Sequence, residues 1–331
     1  MKIVVFARCT TSHQNGLLIA REMKTQGHEV LVKCLLERGE CPPYEYPLRP
    51  GTAKYRYESR RIEELKQFGP DYLFVTAAGV EPREFFEKIS RLGIKLILWN
   101  ADAYIPGMDI GCWDRYKGVF DLIITSVEGM VKVLKNYAKH IAFLPQYYDD
   151  VYYKPTIDRL DPRYEIYDIC FIGNTQKGRK VFRREECISA LQEFCKVKVI
   201  GNITKEPFEQ SLYGSEMANI YRQSKITFDT LHIIKKELGW KISDRIFKAM
   251  GCGCLFICPP VENLKKFFIP GKHLVTYDGT IEDLKSKVKY YLEHEEEREQ
   301  IAKCGQEEIM KNHTIGVRVK QYILILNALL P

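Results

Sequence analysis

No apolar run in these 331 residues approaches the roughly 20 that a membrane-spanning helix needs, so no spanning segment is expected. Met1–Phe6 is too short an apolar run for a signal peptide and reads as a first strand, which points to a cytoplasmic protein. The glycine fingerprint G-x-G-x-x-G is absent, which sets aside nicotinamide and flavin chemistry. The eleven cysteines include no C-x-x-C pair. They are scattered and odd in number, so they form no disulfide framework. Cys34, Cys170, Cys254 and Cys258 lie in apolar runs, where thiols pack as small hydrophobes. Cys252, Cys254 and Cys258 lack the spacing of a zinc site, and no metal is expected. Short internal repeats and low-complexity tracts are also missing.

What is present is an alternation. A hydrophobic content of 45% and a length that suits two domains indicate a globular chain able to bury two cores. Short β-branched runs at Lys2–Ala7, Val30–Leu35, Tyr72–Thr76, Lys95–Trp99, Asp121–Thr125 and Ile141–Leu144 are separated by helical stretches, including 57–68 and 84–92. Strand, loop, helix and strand in the first 35 residues form a βαβ unit, and the continuation predicts a parallel sheet covered on both faces. Asp149–Pro162, rich in charge and bearing two prolines, reads as an interdomain linker. A second alternating series begins at Tyr167–Gly173 and runs through Val197–Gly201, Ile226–Asp229, Cys254–Cys258 and Leu274–Tyr277. A terminal helix from about Gly316 carries Val317, Tyr322, Ile323, Leu326 and Leu330 on one side. The net charge of +7 favours an anionic partner: a nucleotide, a lipid headgroup or nucleic acid.

The chain is organised around Ser243–Pro260. Ser243 suits an N-cap, and Ile246, Phe247 and Met250 make one apolar face of a short helix. Gly251 and Gly253 are expected to end it before the strand Cys254–Cys258, which Pro259 and Pro260 stop. Asp244, Arg245 and Lys248 stand near the start of that helix, where an anion is naturally held. From this segment alone, Arg245 and Lys248 read equally well as solvated positions on a surface helix.

The stretches that follow decide between the two. Phe267–Tyr277, Leu284–Glu293, Glu297–Gly305, His313–Thr314 and Arg318 form an ordered series. With Ser243–Pro260 it resembles the C-terminal half of the CgeB-like (spore-maturation) glycosyltransferases, a branch of the GT-B enzymes. Asp168–Asn174 and Leu144–Gln146 extend the resemblance in weaker form. It implies an α/β fold of two Rossmann-like domains facing across a cleft. Residues 1–155 would form the acceptor side and 156–315 the nucleotide-sugar side, with a terminal helix, 316–331, crossing back onto the first domain. Two departures stand out. Lys248 occupies the place where many members carry a glutamate that binds the donor ribose. Trp240 stands where the first of the paired glutamates of retaining relatives would fall.

Ligands of such sheets sit at the carboxyl ends of strands, where glycine loops lead into helices. Gly173, Asn174, Lys177 and Arg179 occupy one such point and Gly201 another; Arg245 comes from a neighbouring junction to close on the same anion. These residues, with Asp244 and Lys248, are the expected donor-binding set. Lys248 has only donors, so it is expected on a phosphate oxygen or a charged sugar. The chain contains no Asp-x-Asp, the pattern by which the other major glycosyltransferase fold holds its divalent ion, which fits metal-independent transfer; Asp149–Asp150 remains as a weak cation site. His13 and Asp102, at strand ends in the first domain, are the candidate bases for the acceptor's proton in an inverting reaction. Either could instead simply begin a helix or cap a turn. His273 precedes a strand in a turn expected to be exposed, and is set aside.

The expected activity is transfer of a sugar from a nucleotide sugar, used as substrate with no cofactor, to an acceptor that is a glycan, a small molecule, a protein or a modified DNA base. The competing reading from another class is a non-catalytic two-lobed sensor that binds a nucleotide.

Overall fold

The apolar runs pair into two all-parallel sheets in the computed structural model of the protein. It describes residues 1–7, 15–34, 53–76, 81–100, 116–158, 166–173, 183–201, 212–230 and 242–331, with the backbone alone for 34 and 53–56. Two compact units divide the chain: Met1–Pro145 with Val319–Pro331, and Gln146–Arg318.

In the first unit the strands are β1 (Lys2–Ala7), β2 (Glu29–Cys34), β3 (Tyr72–Val75), β4 (Lys95–Asn100), β5 (Phe120–Thr125) and β6 (Ala138–Phe143). Their order is β2-β1-β3-β4-β5-β6. The helices are α1 (Asn15–Thr25), α2 (Ala53–Phe68), α3 (Arg83–Ser90) and α4 (Met130–Leu134). Ile3–Ala7, Leu73–Val75 and Leu96–Trp99 are buried without interruption, as strands covered on both faces must be. The order reverses between β1 and β3. There Gly16 of α1 lies so close to both strand ends that a Cβ would fall 2.4 Å from Thr76 Oγ1 and 2.5 Å from Ala7 Cβ.

In the second unit the strands are β7 (Tyr167–Ile172), β8 (Val197–Ile200), β9 (Ser224–Phe228), β10 (Leu255–Cys258) and β11 (Val275–Thr276), in the order β11-β10-β9-β7-β8. The helices are α5 (Arg184–Gln192), α6 (Gly214–Arg222), α7 (Asp244–Gly251), α8 (Ile281–Glu293) and α9 (Glu295–Asn312). The two-residue period of a strand sorts its side chains into two cores. Ile169, Phe171, Ile226, Phe228, Leu255 and Ile257 pack with Leu191 of α5 and Leu284 of α8. Cys170, Ile172, Phe256 and Cys258 pack with Tyr221 of α6 and with Ile246, Phe247 and Met250 of α7. Cys170, Cys252, Cys254 and Cys258 are buried free thiols.

The last helix, α10 (Ile315–Leu329), starts in the second unit and from Val319 belongs to the first. The Tyr322 ring lies 5.7 Å from that of Phe74, and Tyr72 donates its hydroxyl hydrogen to Leu330 O at 2.9 Å. The return of the terminal helix is as expected, and so is the burial of Tyr322, Leu326 and Leu330, but two members of the expected face differ. Ile315, Val319, Tyr322, Leu326 and Leu330 are buried, whereas Val317 and Ile323 are half-exposed, because the helical repeat selects positions three and four apart.

The segment 149–158, expected to be a linker, is counted in the second unit. Asp149 Oδ1 accepts from Val151 N and Tyr152 N at 3.1 and 2.8 Å, and Tyr148 donates to Tyr153 O at 2.8 Å. Asp149 and Tyr153 carry the burial.

Candidate functional site

The strand order of the second sheet reverses between β7 and β9, which is where open parallel sheets hold ligands. Gly173 follows β7 and Gly201 follows β8; the register Ile172 to Ile200 sets them side by side. Gly173 N donates to Ile200 O at 2.9 Å. A Cβ on Gly201 would fall 2.1 Å from Gly173 O, at a φ of 137° that L side chains rarely adopt. Both residues retain solvent contact, so the backbone at these strand ends is open to a ligand.

Helix α7 brings its first turn to the same end of the sheet. Ser243 Oγ accepts from Arg245 N at 3.3 Å, the N-cap read from sequence. The Arg245 side chain is buried. Its Nη1 lies 2.6 Å from Asp229 Oδ1, its Nε donates to Ile172 O at 2.8 Å, and its guanidinium carbon is 4.5 Å from the centre of the Phe171 ring. A Cβ on Gly173 would fall 2.4 Å from Arg245 Nη2, so the guanidinium lies directly against Gly173. Burial alone would lower the Arg245 pKa, but the Asp229 carboxylate outweighs it and the group stays charged. Asp229 is held in turn, accepting from Thr230 N at 2.9 Å on Oδ1 and from Tyr277 Oη at 3.1 Å on its carbonyl.

Arg245 is therefore not the solvated surface residue that the helix alone allowed. Lys248 is one turn further along, with Nζ 2.9 Å from Asp244 Oδ2 and 4.9 Å from the centre of the Tyr153 ring. Burial works against its charge, and Asp244 and Tyr153 overcome it, raising the pKa. Arg184, at the start of α5, has its guanidinium 5.7 Å from the Phe171 ring, so that ring is flanked by two cations.

Of the expected donor-binding set, the structure brings Gly173, Gly201, Asp244 and Arg245 together at the carboxyl ends of β7 and β8 and the start of α7, with Lys248 one turn on. Asn174, Lys177 and Arg179 lie outside the described residues, as do His13 and Asp102. Gly251, expected to help end the helix, is instead a helical residue against which the Tyr148 ring packs; an added Cβ would meet that ring at 2.6 Å. Gly253 alone, at φ 78°, ends the helix. His273 is buried, not exposed, because its Nδ1 accepts from Ile269 N at 3.3 Å. Asp229, Thr230 and Arg184 were missed as site residues. Only Arg184 left a signal, as the last member of the basic run Lys177–Arg184. Among the described residues no three His, Cys, Asp or Glu side chains are grouped to hold a metal ion, and no helix is long and apolar enough to cross a membrane. A charged guanidinium, the first turn of α7 and side-chain-free backbone at one sheet edge suit a phosphate-like anion.

Residues 179–323 match the family model described as glycosyl transferase-like. No curated protein matches the chain by sequence. Among solved structures, sucrose-phosphate synthase from Thermosynechococcus elongatus is similar at 11% identity and a TM-score of 0.67, covering 99% of each chain. Anabaena HepE (Alr3699), in complex with UDP and glucose, is similar at 12% identity and a TM-score of 0.67, again covering 99% of each chain. An alpha-glucosyltransferase in complex with UDP and a 13-mer DNA containing an HMU base gives 12% identity, a TM-score of 0.67 and the same coverage. The chain thus has a GT-B-like fold of two parallel Rossmann-like sheets, and its residues 179–323 match the glycosyl transferase-like family model.

Proposed function

We propose that the protein moves a sugar from a nucleoside-diphosphate sugar to an acceptor, with the diphosphate seated at the carboxyl ends of β7 and β8, and that it belongs with the CgeB-like enzymes. The observation that carries this reading is the contact of Gly201 with Gly173 against the buried Arg245 guanidinium. Two of the three residues lie within the matched residues 179–323. As the bond from the anomeric carbon to the diphosphate breaks, negative charge grows on the leaving group. A fixed guanidinium and the N–H groups of the first turn of α7 stabilise that charge without reorganising. Asn174, Lys177 and Arg179 belong to the same proposed site, and His13 or Asp102 takes the acceptor's proton if the transfer is inverting.

The proposal includes independence from metal, on the ground that the sequence has no Asp-x-Asp and that Asp149 is committed to its own turn. The UDP complexes of the neighbouring structures make UDP-glucose the first donor to try. Incubated with the protein alone, it is expected to release UDP slowly, at a rate that EDTA leaves unchanged. Binding with no turnover in the presence of any acceptor supports the sensor reading, and activity that returns only with magnesium or manganese ends metal independence. A modified DNA base is the second acceptor class to test, favoured by the net charge of +7; binding to DNA should then weaken steeply with salt.

A further inference from the structure

One polar side chain in the row that closes the carboxyl edge of the second sheet has no partner. The register pairs Ile169 with Val197 and with Ile226, and Ile226 with Leu255. Carried four residues on, it sets Gly201 beside Gly173 at the ends of β8 and β7, and Thr230 beside Pro259 at the ends of β9 and β10; the Arg245 side chain joins the two pairs, bonded to Ile172 O and to Asp229 Oδ1. Main-chain bonds already run past the strands in this direction, from Gly173 N to Ile200 O and from Asp229 N to Ile257 O, each at 2.9 Å. Two members of the row have no side chain and the third is a proline. Thr230 therefore supplies its only side-chain donor.

Thr230 is 5% exposed, and its Oγ1 is buried with no hydrogen-bond partner. Its backbone N–H is already spent on Asp229 Oδ1. A buried hydroxyl without a partner costs free energy that a valine of the same shape would not. Packing gives no reason for the hydroxyl, and an anion site one strand away gives one. Asp229, the preceding residue, grips the guanidinium that lies against Gly173.

The geometry points to Thr230 as a ligand-binding residue whose hydroxyl donates to an oxygen of a nucleoside diphosphate seated on Gly173 and Gly201. The inference rests on the reading of that edge as a diphosphate cradle, and adds to it a neutral donor. Lost on removal of the hydroxyl is one charge-assisted hydrogen bond.

The test compares wild type with Thr230→Val and Thr230→Ser, using UDP, GDP and ADP as probes in calorimetry and thermal unfolding. Wild type is expected to bind at least one of the three. Thr230→Val should bind that one about tenfold more weakly, and Thr230→Ser within about twofold of wild type. Without ligand, Thr230→Val should unfold at a temperature no lower than wild type. Equal affinity of Thr230→Val and wild type removes the hydroxyl from the site while leaving the diphosphate reading standing. A Thr230→Val protein that unfolds early, or fails to fold, assigns the hydroxyl to the fold and overturns the inference. A wild type that binds none of the three takes down the diphosphate reading and this inference with it.

Discussion

Asp229 and Arg245 form an ion pair of 2.6 Å with side chains 6% and 8% exposed, at the edge of the second sheet where the proposed diphosphate sits. Neither charge has water to fall back on, so removing one strands the other. Asp229→Asn should destabilise the protein by about 3 kcal/mol in urea unfolding. The double variant Asp229→Leu, Arg245→Met should recover most of that stability and none of the affinity for UDP. Recovery of both would reduce the pair to a structural role.

Gly201→Ala should lower stability by about 2 kcal/mol or more, because the new methyl meets a main-chain carbonyl at 2.1 Å from a φ of 137°. Calorimetry with UDP should show no binding to the folded variant. Retained binding would mean that the two glycines serve only to let the strands meet.

Lys248→Glu should weaken binding of the accepted donor at least about tenfold, roughly 1.4 kcal/mol. The expectation is that Lys248 leaves Asp244 for a phosphate oxygen or a charged sugar when donor binds. In the structure it is 2.9 Å from Asp244, which is itself exposed, and that i,i+4 pair alone is worth about 0.3–0.5 kcal/mol. An unchanged dissociation constant would confine Lys248 to holding Asp244.

His313 makes stability depend on pH. Its ring is buried against those of Phe247, Phe267 and Phe268, with Nδ1 3.2 Å from Arg318 Nη2 and Nε2 3.6 Å from Glu308 Oε1. Burial first, and the Arg318 charge second, push its pKa down from 6.5 to about 4. Between these values the unfolded chain binds the proton and the folded chain does not, so stability falls as pH falls. The contribution is complete above about pH 6.5 and lost towards about pH 4. From pH 7 to pH 5 it amounts to about 2 kcal/mol. His313→Gln should flatten that part of the urea-denaturation profile; an unaltered slope would assign it to other groups.

Most of the fold was legible because parallel strands buried on both faces leave unbroken apolar runs, as at Ile3–Ala7 and Leu255–Cys258. The Ser243 cap was legible for a similar reason, since it acts on residues beside it in sequence. Asp229 was not. Its partner lies sixteen residues on, and the two meet only because the first turn of α7 comes back to the carboxyl end of β9. The same holds for Thr230, whose meaning comes from its row and not from its neighbours in the chain. The 149–158 segment read as a linker because charge and proline mask the burial of Asp149 and Tyr153.

The first unit is assembled from two pieces, Met1–Pro145 and Val319–Pro331, while the second is continuous. On a ribosome, then, the usual order of N-terminal unit before C-terminal unit should be reversed here. The first sheet is made early but waits, with Phe74 and Tyr72 lacking Tyr322 and Leu330, until the whole second unit has been synthesised. Nascent chains stalled after residue 318 should therefore resist protease in the second unit while the first is still cut. Equal resistance of both would show that the first unit matures without the helix that closes it.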